Sequence, residues 1–203
     1  PKDIKDVAKT IASFSKDNQI VVVCSAVDGV TDDLILISKM TEQKKKKDVA
    51  KTLDDLITKH RKLAMQTIKN SEIEAPLMEK LNADVSELQE LVRGLTLLKE
   101  VSARSLDYLI SFGERLSDDL VSFALQDIQK KSTALNGKEV GIVTDSNFGE
   151  SRPLMDTTRI RISKTLGSLL SKKVIPVVGG LAGAEQHGQV TPFGRGGSDY
   201  TAT

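Results

Sequence analysis

Residues 19–34 read QIVVVCSAVDGVTDDL, and this stretch decides the fold. From Gln19 to Val27 the side chains are almost continuously apolar and rich in β-branched types. A run this short and this apolar predicts a strand covered on both faces, as in a parallel sheet flanked by helices. Gly29 turns the chain, Thr31 is placed to cap, and Asp32 and Asp33 suit the positive end of a following helix. Strand, polar turn, helix N-terminus is the arrangement at which α/β proteins place ligands.

Working outward, Ile4, Val7, Ala8, Ile11 and Phe14 recur at helical spacing and predict a helix over 3–16. Residues 43–100 form two long, charged helical stretches around a break at Ser71–Pro76. They read as a helical hairpin inserted into, or packed on, the α/β body. The leucines of 77–98 are its core face, and Lys44–Lys47 a solvated one. Residues 101–130 continue helical, with ISFGERLSDD (110–119) expected to interrupt them. Strands are expected at Ser132–Leu135 and Glu139–Thr144, and a helix at Thr157–Ser171. KKVIPVVGGLAG (172–183) reads as a buried strand ending in glycines, and AEQHGQVTPFG (184–194) as a hairpin. The alternation predicts an α/β domain.

Composition narrows the function classes. The chain has 203 residues, enough for one domain with a sizeable core. Its 29 basic and 28 acidic residues leave a net charge of +1, which gives no electrostatic case for nucleic acid or an anionic membrane. Aromatics make up 3% with no tryptophan, so Ile, Leu and Val must build the core. The single cysteine, Cys24, fits a reducing cytoplasm and reads as a small core residue. No apolar run approaches the roughly 18 residues of a membrane span. His60 and His187 stand in a charged helix and a hairpin tip, with no metal-ligand spacing.

Two motifs carry chemistry. In SFGERLS (111–117), Gly113 falls where a helix should continue, beside Glu114 and Arg115. One reading is a loop with a surface ion pair; the other puts the Glu114 carboxylate in a cleft, holding an ammonium group. In TPFGRGGSDYTAT (191–203), Gly194, Gly196 and Gly197 flank Arg195 and precede Ser198 and Asp199. Such a turn can aim several N–H groups inward as an anion nest, and Arg195 can clamp a carboxylate or phosphate with two bonds. Neither the P-loop pattern nor a kinase-type GxGxxG occurs.

Taken together and in order, VVVCSAVDGVTDDL, SFGERLS, VIPVVGGLAG and TPFGRGGSDYTAT resemble the aspartate kinase catalytic domain, in the amino-acid kinase superfamily. The likeness spans nearly the whole chain. Departures are Val27 and Asp28 where the family usually has methionine and glycine, a small residue at Ala182, and Pro192-Phe193 where it has Thr-Leu. The family's first strand, with KFGG, and its nucleotide segment, with TDVDG, have no counterpart here. We therefore expect residues 1–203 to be a catalytic-domain fragment with a helical insertion at about 43–100. The first strand, the C-terminal nucleotide segment and the regulatory domains are expected to lie outside it, and the fragment to be inactive alone.

The resemblance implies a three-layer α/β sandwich with a mostly parallel central sheet. It also implies transfer of the γ-phosphoryl group of ATP, with Mg2+, to the side-chain carboxylate of L-aspartate, opening lysine, threonine and methionine biosynthesis. That carboxylate is already anionic at neutral pH, so no general base is required; the work is positioning and charge stabilisation. By resemblance Arg195 clamps the α-carboxylate, Glu114 holds the α-ammonium, and Ser25, Thr31 and Ser198 donate to substrate carboxylates. Asp199 sits near the transferring phosphoryl group, and Gly179, Gly180 and Gly183 bring backbone close to the phosphates. A cytoplasmic homo-oligomer with no nucleic-acid or membrane partner completes the expectation. The competing readings are another amino-acid kinase or a non-catalytic aspartate-binding module.

Overall fold

The computed structural model describes residues 2–193 and 197–203. Its centre is a parallel three-stranded sheet of β1 (Val22–Cys24), β2 (Ser132–Leu135) and β3 (Ile175–Gly179), ordered β1-β3-β2. β3, IPVVG, is buried along its whole length, and its alternate side chains serve two cores. Ile175 and Val177 join the large core, with α1 (Lys2–Phe14), α2 (Val30–Glu42), α3 (Lys46–Thr67), α4 (Ser71–Leu98) and α5 (Ala103–Asp127). Val178 faces the other way, with Val140 and Ile142 against Ile162 and Leu166 of α7 (Met155–Ser171). Helices, sheet and helix make the three layers that the resemblance implies.

The strand expected at Gln19–Val27 is only three residues long and half-buried, because it lies at the sheet edge. Pro176 supplies a reason. Ile175 donates to Lys131 on the β2 side, and Gly180 donates to Cys24 on the β1 side. Parallel ladders alternate in this way, so the N–H that Pro176 lacks belongs to the β1 side. Pairing with β1 accordingly begins one residue later, at Val22 opposite Val177.

Four further expectations are corrected. ISFGERLSDD does not interrupt the helix; α5 runs unbroken through it. The α3–α4 break lies at 68–70, where Asn70 caps α4 by accepting from the Glu72 N–H, and Pro76 sits inside the helix. Glu139–Thr144 is not a strand. Asn136 and Glu139 form a capping box that winds one helical turn, α6 (Gly137–Val140), ended by Gly141 in the left-handed region at φ 104. Finally, Thr31 does not cap α2, which starts at Val30 after Gly29 at φ 77, with no side-chain cap.

The α3–α4 hairpin shares the large core with α2 and α5. Leu77, Leu81, Leu88 and Leu95 are buried there, while Leu97 and Leu98 are exposed. His60, expected on a charged helix, is fully buried. Past β3, the antiparallel pair β4 (Ala182–Ala184) and β5 (Val190–Pro192) forms the expected hairpin. A short helix, α8 (Gly197–Thr201), follows.

Candidate functional site

Gly113 explains how α5 reaches the sheet. A Cβ at that position would stand 3.0 Å from the Ala26 Cβ, with Leu34 and Val30 close behind. The missing side chain lets α5 press on the β1–α2 turn and carries its neighbour Glu114 to the C-terminal edge of β3. Glycine serves close packing here, not a loop.

Glu114 is 4% exposed. Its Oε2 accepts the Leu181 N–H at 2.7 Å, and its Oε1 accepts the Ser198 hydroxyl at 2.9 Å. Burial pushes the carboxyl up to about 7, against the pull of those two donors. It is no partner of Arg115, which donates to Asp84 and, at 2.8 Å, to Glu87, and covers the Phe112 ring at 4.4 Å. The surface ion-pair reading of SFGERLS is thus overturned.

The structure gathers several of the sequence-derived candidates around this carboxylate. Ser198 bonds it directly. A Cβ on Gly179 would lie 3.1 Å from Glu114 Oε2, and one on Gly180 would lie 2.6 Å from the Ser198 Cα. Thr201 fastens α8 by donating to the Gly180 carbonyl at 2.6 Å. Cys24 stands opposite Gly179 in register, so Ser25 follows at the same edge, exposed, and Thr31 is half-buried in the first turn of α2. Neither makes a side-chain hydrogen bond among the described residues. Asp199 is exposed on α8. Gly183 packs on Ile142 and Thr144 of the loop beneath the hairpin. Arg195 lies outside the described residues.

Behind Glu114 is a cavity of about 270 Å³ between α5, the α6 turn and the β4–β5 hairpin. Glu114, Asp118, Gly179 and Gly183 line it, with Tyr108 and Lys138. Sequence reasoning missed Asp118, which is 3% exposed and beside the cavity. Its signal was the four-residue spacing from Glu114, which puts both on one helix face; a helix assumed to break at Gly113 hides that spacing. Also missed was the ionic seam between α4 and α5. There Lys80 meets Asp119 at 2.6 Å, Arg115 bridges Asp84 and Glu87, and Tyr108 donates to Glu87.

The model of the amino acid kinase family matches residues 1–203. Aspartokinase 2, chloroplastic, of Arabidopsis thaliana is 32% identical over 202 residues, covering 98% of this chain and 36% of that protein. Aspartokinase 3, chloroplastic, of the same plant is 34% identical over 199 residues, 97% of this chain and 34% of that protein. The chain thus spans about a third of the length of these relatives. Among solved structures, E. coli aspartokinase III in complex with aspartate and ADP superposes with a TM-score of 0.83. It is 23% identical, and the match covers 97% of this chain and 42% of that one, a likeness of fold.

Proposed function

The chain belongs to the amino acid kinase family, and from that premise we propose that it forms the acceptor-binding part of an aspartate kinase. The reaction assigned to the full-length protein moves the γ-phosphoryl group of ATP onto the side-chain carboxylate of L-aspartate, giving 4-phospho-L-aspartate and ADP. The observation that carries this reading is Glu114. It is a buried carboxylate, held by a backbone N–H and a serine hydroxyl, with no cationic side chain bonded to it among the described residues. An amino acid's α-ammonium is the charge such a group lacks.

The other roles are those that the resemblance implies. Arg195 meets the α-carboxylate, completing the pair of charges that an amino acid presents. Ser25, just after β1, Thr31, in the first turn of α2, and Ser198 donate to substrate carboxylates. Two anions must be brought together, so catalysis rests on orientation and charge stabilisation rather than on proton abstraction. Mg2+ accompanying ATP would supply charge neutralisation at the phosphates. Gly179, Gly180 and Gly183 are assigned to bring backbone close to the phosphates, although the space each side chain would fill is taken by protein atoms, and exposed Asp199 is assigned to orient the metal or the family's lysine. Membership of a homo-oligomer and a cytoplasmic compartment belong to the same proposal; no helix of the described residues is long and apolar enough to cross a membrane.

Steady-state kinetics of Glu114→Ala in the full-length protein test the reading. Leaving a buried substrate charge unpartnered costs about 2–5 kcal/mol. That is a loss of roughly 30-fold to a few thousand-fold in kcat/KM for aspartate, with the KM for ATP nearly unchanged. Aspartate efficiency within a few-fold of the parent protein overturns the assignment. Parallel assays with glutamate, acetylglutamate and carbamate as acceptors separate this reading from other members of the family.

A further inference from the structure

Four residues after Glu114, on the same face of α5, Asp118 brings a second carboxyl to the same place. A Cβ on Gly179 would lie 2.7 Å from Asp118 Oδ2 and 3.1 Å from Glu114 Oε2, so both groups converge on one strand end. Asp118 Oδ1 is enclosed and finds no hydrogen-bond partner among the described residues. Both carboxyls line the 270 Å³ cavity.

Two carboxyls this close, in a buried place, do not both ionise readily. The surrounding donors decide which one carries the charge. Glu114 receives the Leu181 N–H and the Ser198 hydroxyl, and Asp118 receives neither. The anion therefore belongs on Glu114 and the proton on Asp118. The other groups facing Asp118 leave that division in place. Lys80 of α4 is bonded to Asp119, and Arg115 to Asp84 and Glu87. The Glu139 carboxylate of α6 accepts the Asn136 N–H, and the Cys24 thiol of β1 is itself pushed up by burial and by the two carboxyls. Lys138 stands exposed on the cavity wall.

We propose that Asp118 is a positioning residue for the ammonium subsite: it stays a neutral acid while Glu114 is the lone anion, and releases its proton to solvent when an ammonium group docks on Glu114. The inference rests on the reading that Glu114 meets the substrate's ammonium. Burial and the charge of Glu114 hold Asp118 well above the usual carboxylate range in the empty site. An arriving cation reverses the second of these influences. Substrate binding is then coupled to proton release at a pH where Glu114 is already ionised, and it tightens further as pH rises.

Calorimetric titration of L-aspartate into the full-length protein at pH 8, in two buffers of different ionisation enthalpy, counts the protons released. We expect release from the parent protein and its loss in Asp118→Asn, which is isosteric with the neutral acid. The KM for aspartate should fall from pH 7.5 to 9 in the parent and stay flat in the variant. If Asp118→Asn folds poorly, Asp118→Ser reads the same difference. Equal proton release in parent and variant, or none in the parent, overturns the proposal. Glu114→Gln separates the two failures. If it keeps normal aspartate affinity, the ammonium-site reading fails; if it loses affinity while Asp118→Asn matches the parent, only the role of Asp118 fails.

Discussion

Ser198 donates its hydroxyl hydrogen to Glu114 Oε1 at 2.9 Å, joining two residues 84 positions apart. The bond ties the short helix α8 to the middle of α5. It links SFGERLS to Ser198, a described residue of the second motif. Removing it in Ser198→Ala strips a neutral donor from a buried carboxylate, a change worth about 1.5–3 kcal/mol. We expect kcat/KM for aspartate to fall about 10- to 100-fold, and the acid limb of its pH profile to move to higher pH. Steady-state kinetics between pH 6 and 9 check both shifts.

The pH dependence of the parent protein has a defined sign. Glu114 must be ionised to meet an ammonium, and burial sets its carboxyl at about 7. The KM for aspartate should therefore rise as pH falls through about 7, approaching tenfold per pH unit below it. A KM that stays constant down to pH 5 would show that this carboxylate is not the ammonium partner.

Stability should run the opposite way for Asp118. Its folded carboxyl is raised well above its unfolded value, chiefly by burial. The native state thus holds a proton that the unfolded chain releases near the ordinary value of 3.8. Stability is lost as pH rises from there through the native titration. Asp118→Asn removes the dependence, so the variant should match the parent at pH 4 and exceed it at pH 8 by about 2–4 °C in Tm. Thermal scans at the two pH values decide it.

His60 gives a destabilisation on the acid side. Its ring is fully buried, Nδ1 donates to the Leu56 carbonyl at 2.8 Å, and Nε2 is enclosed without a partner among the described residues. Burial holds the imidazole below its ordinary 6.5, so it stays neutral in the fold. The unfolded chain takes up the proton first, and stability falls as pH drops below about 6.5. His60→Leu should flatten that limb between pH 7 and 5 in denaturant titrations.

Two glycines on helices should respond oppositely to alanine. A Cβ on Gly137 would lie 1.6 Å from the Ala182 carbonyl oxygen, a backbone atom that cannot swing aside. Gly137→Ala should cost about 3 kcal/mol or more and displace the hairpin. Gly167, inside α7, has nothing within 4 Å, and Gly167→Ala should stabilise by about 1 kcal/mol. Denaturant midpoints read both.

Much of this protein was legible in one dimension. Helix α1, strand β2, helix α7 and the β4–β5 hairpin follow from apolar period and turn residues, which mark their places in the chain even where, as in β2, the pairing partner is the distant β3. Glu114 and Ser198 were legible as chemistry, since an amino-acid site needs a carboxylate and donors. What only the tertiary structure decided are features set by partners distant in the chain. Gly113 looked like a break, and the approach of Ala26 makes it a packing contact in an unbroken helix. The run from Gln19 promised a strand covered on both faces, but β1 lies at the sheet edge and is only half-buried. Asp118 was not singled out in the sequence, and only the packing of α5 on Gly179 buries it beside Glu114. A carboxylate's solvation depends on what folds over it, and no local pattern of residues records that.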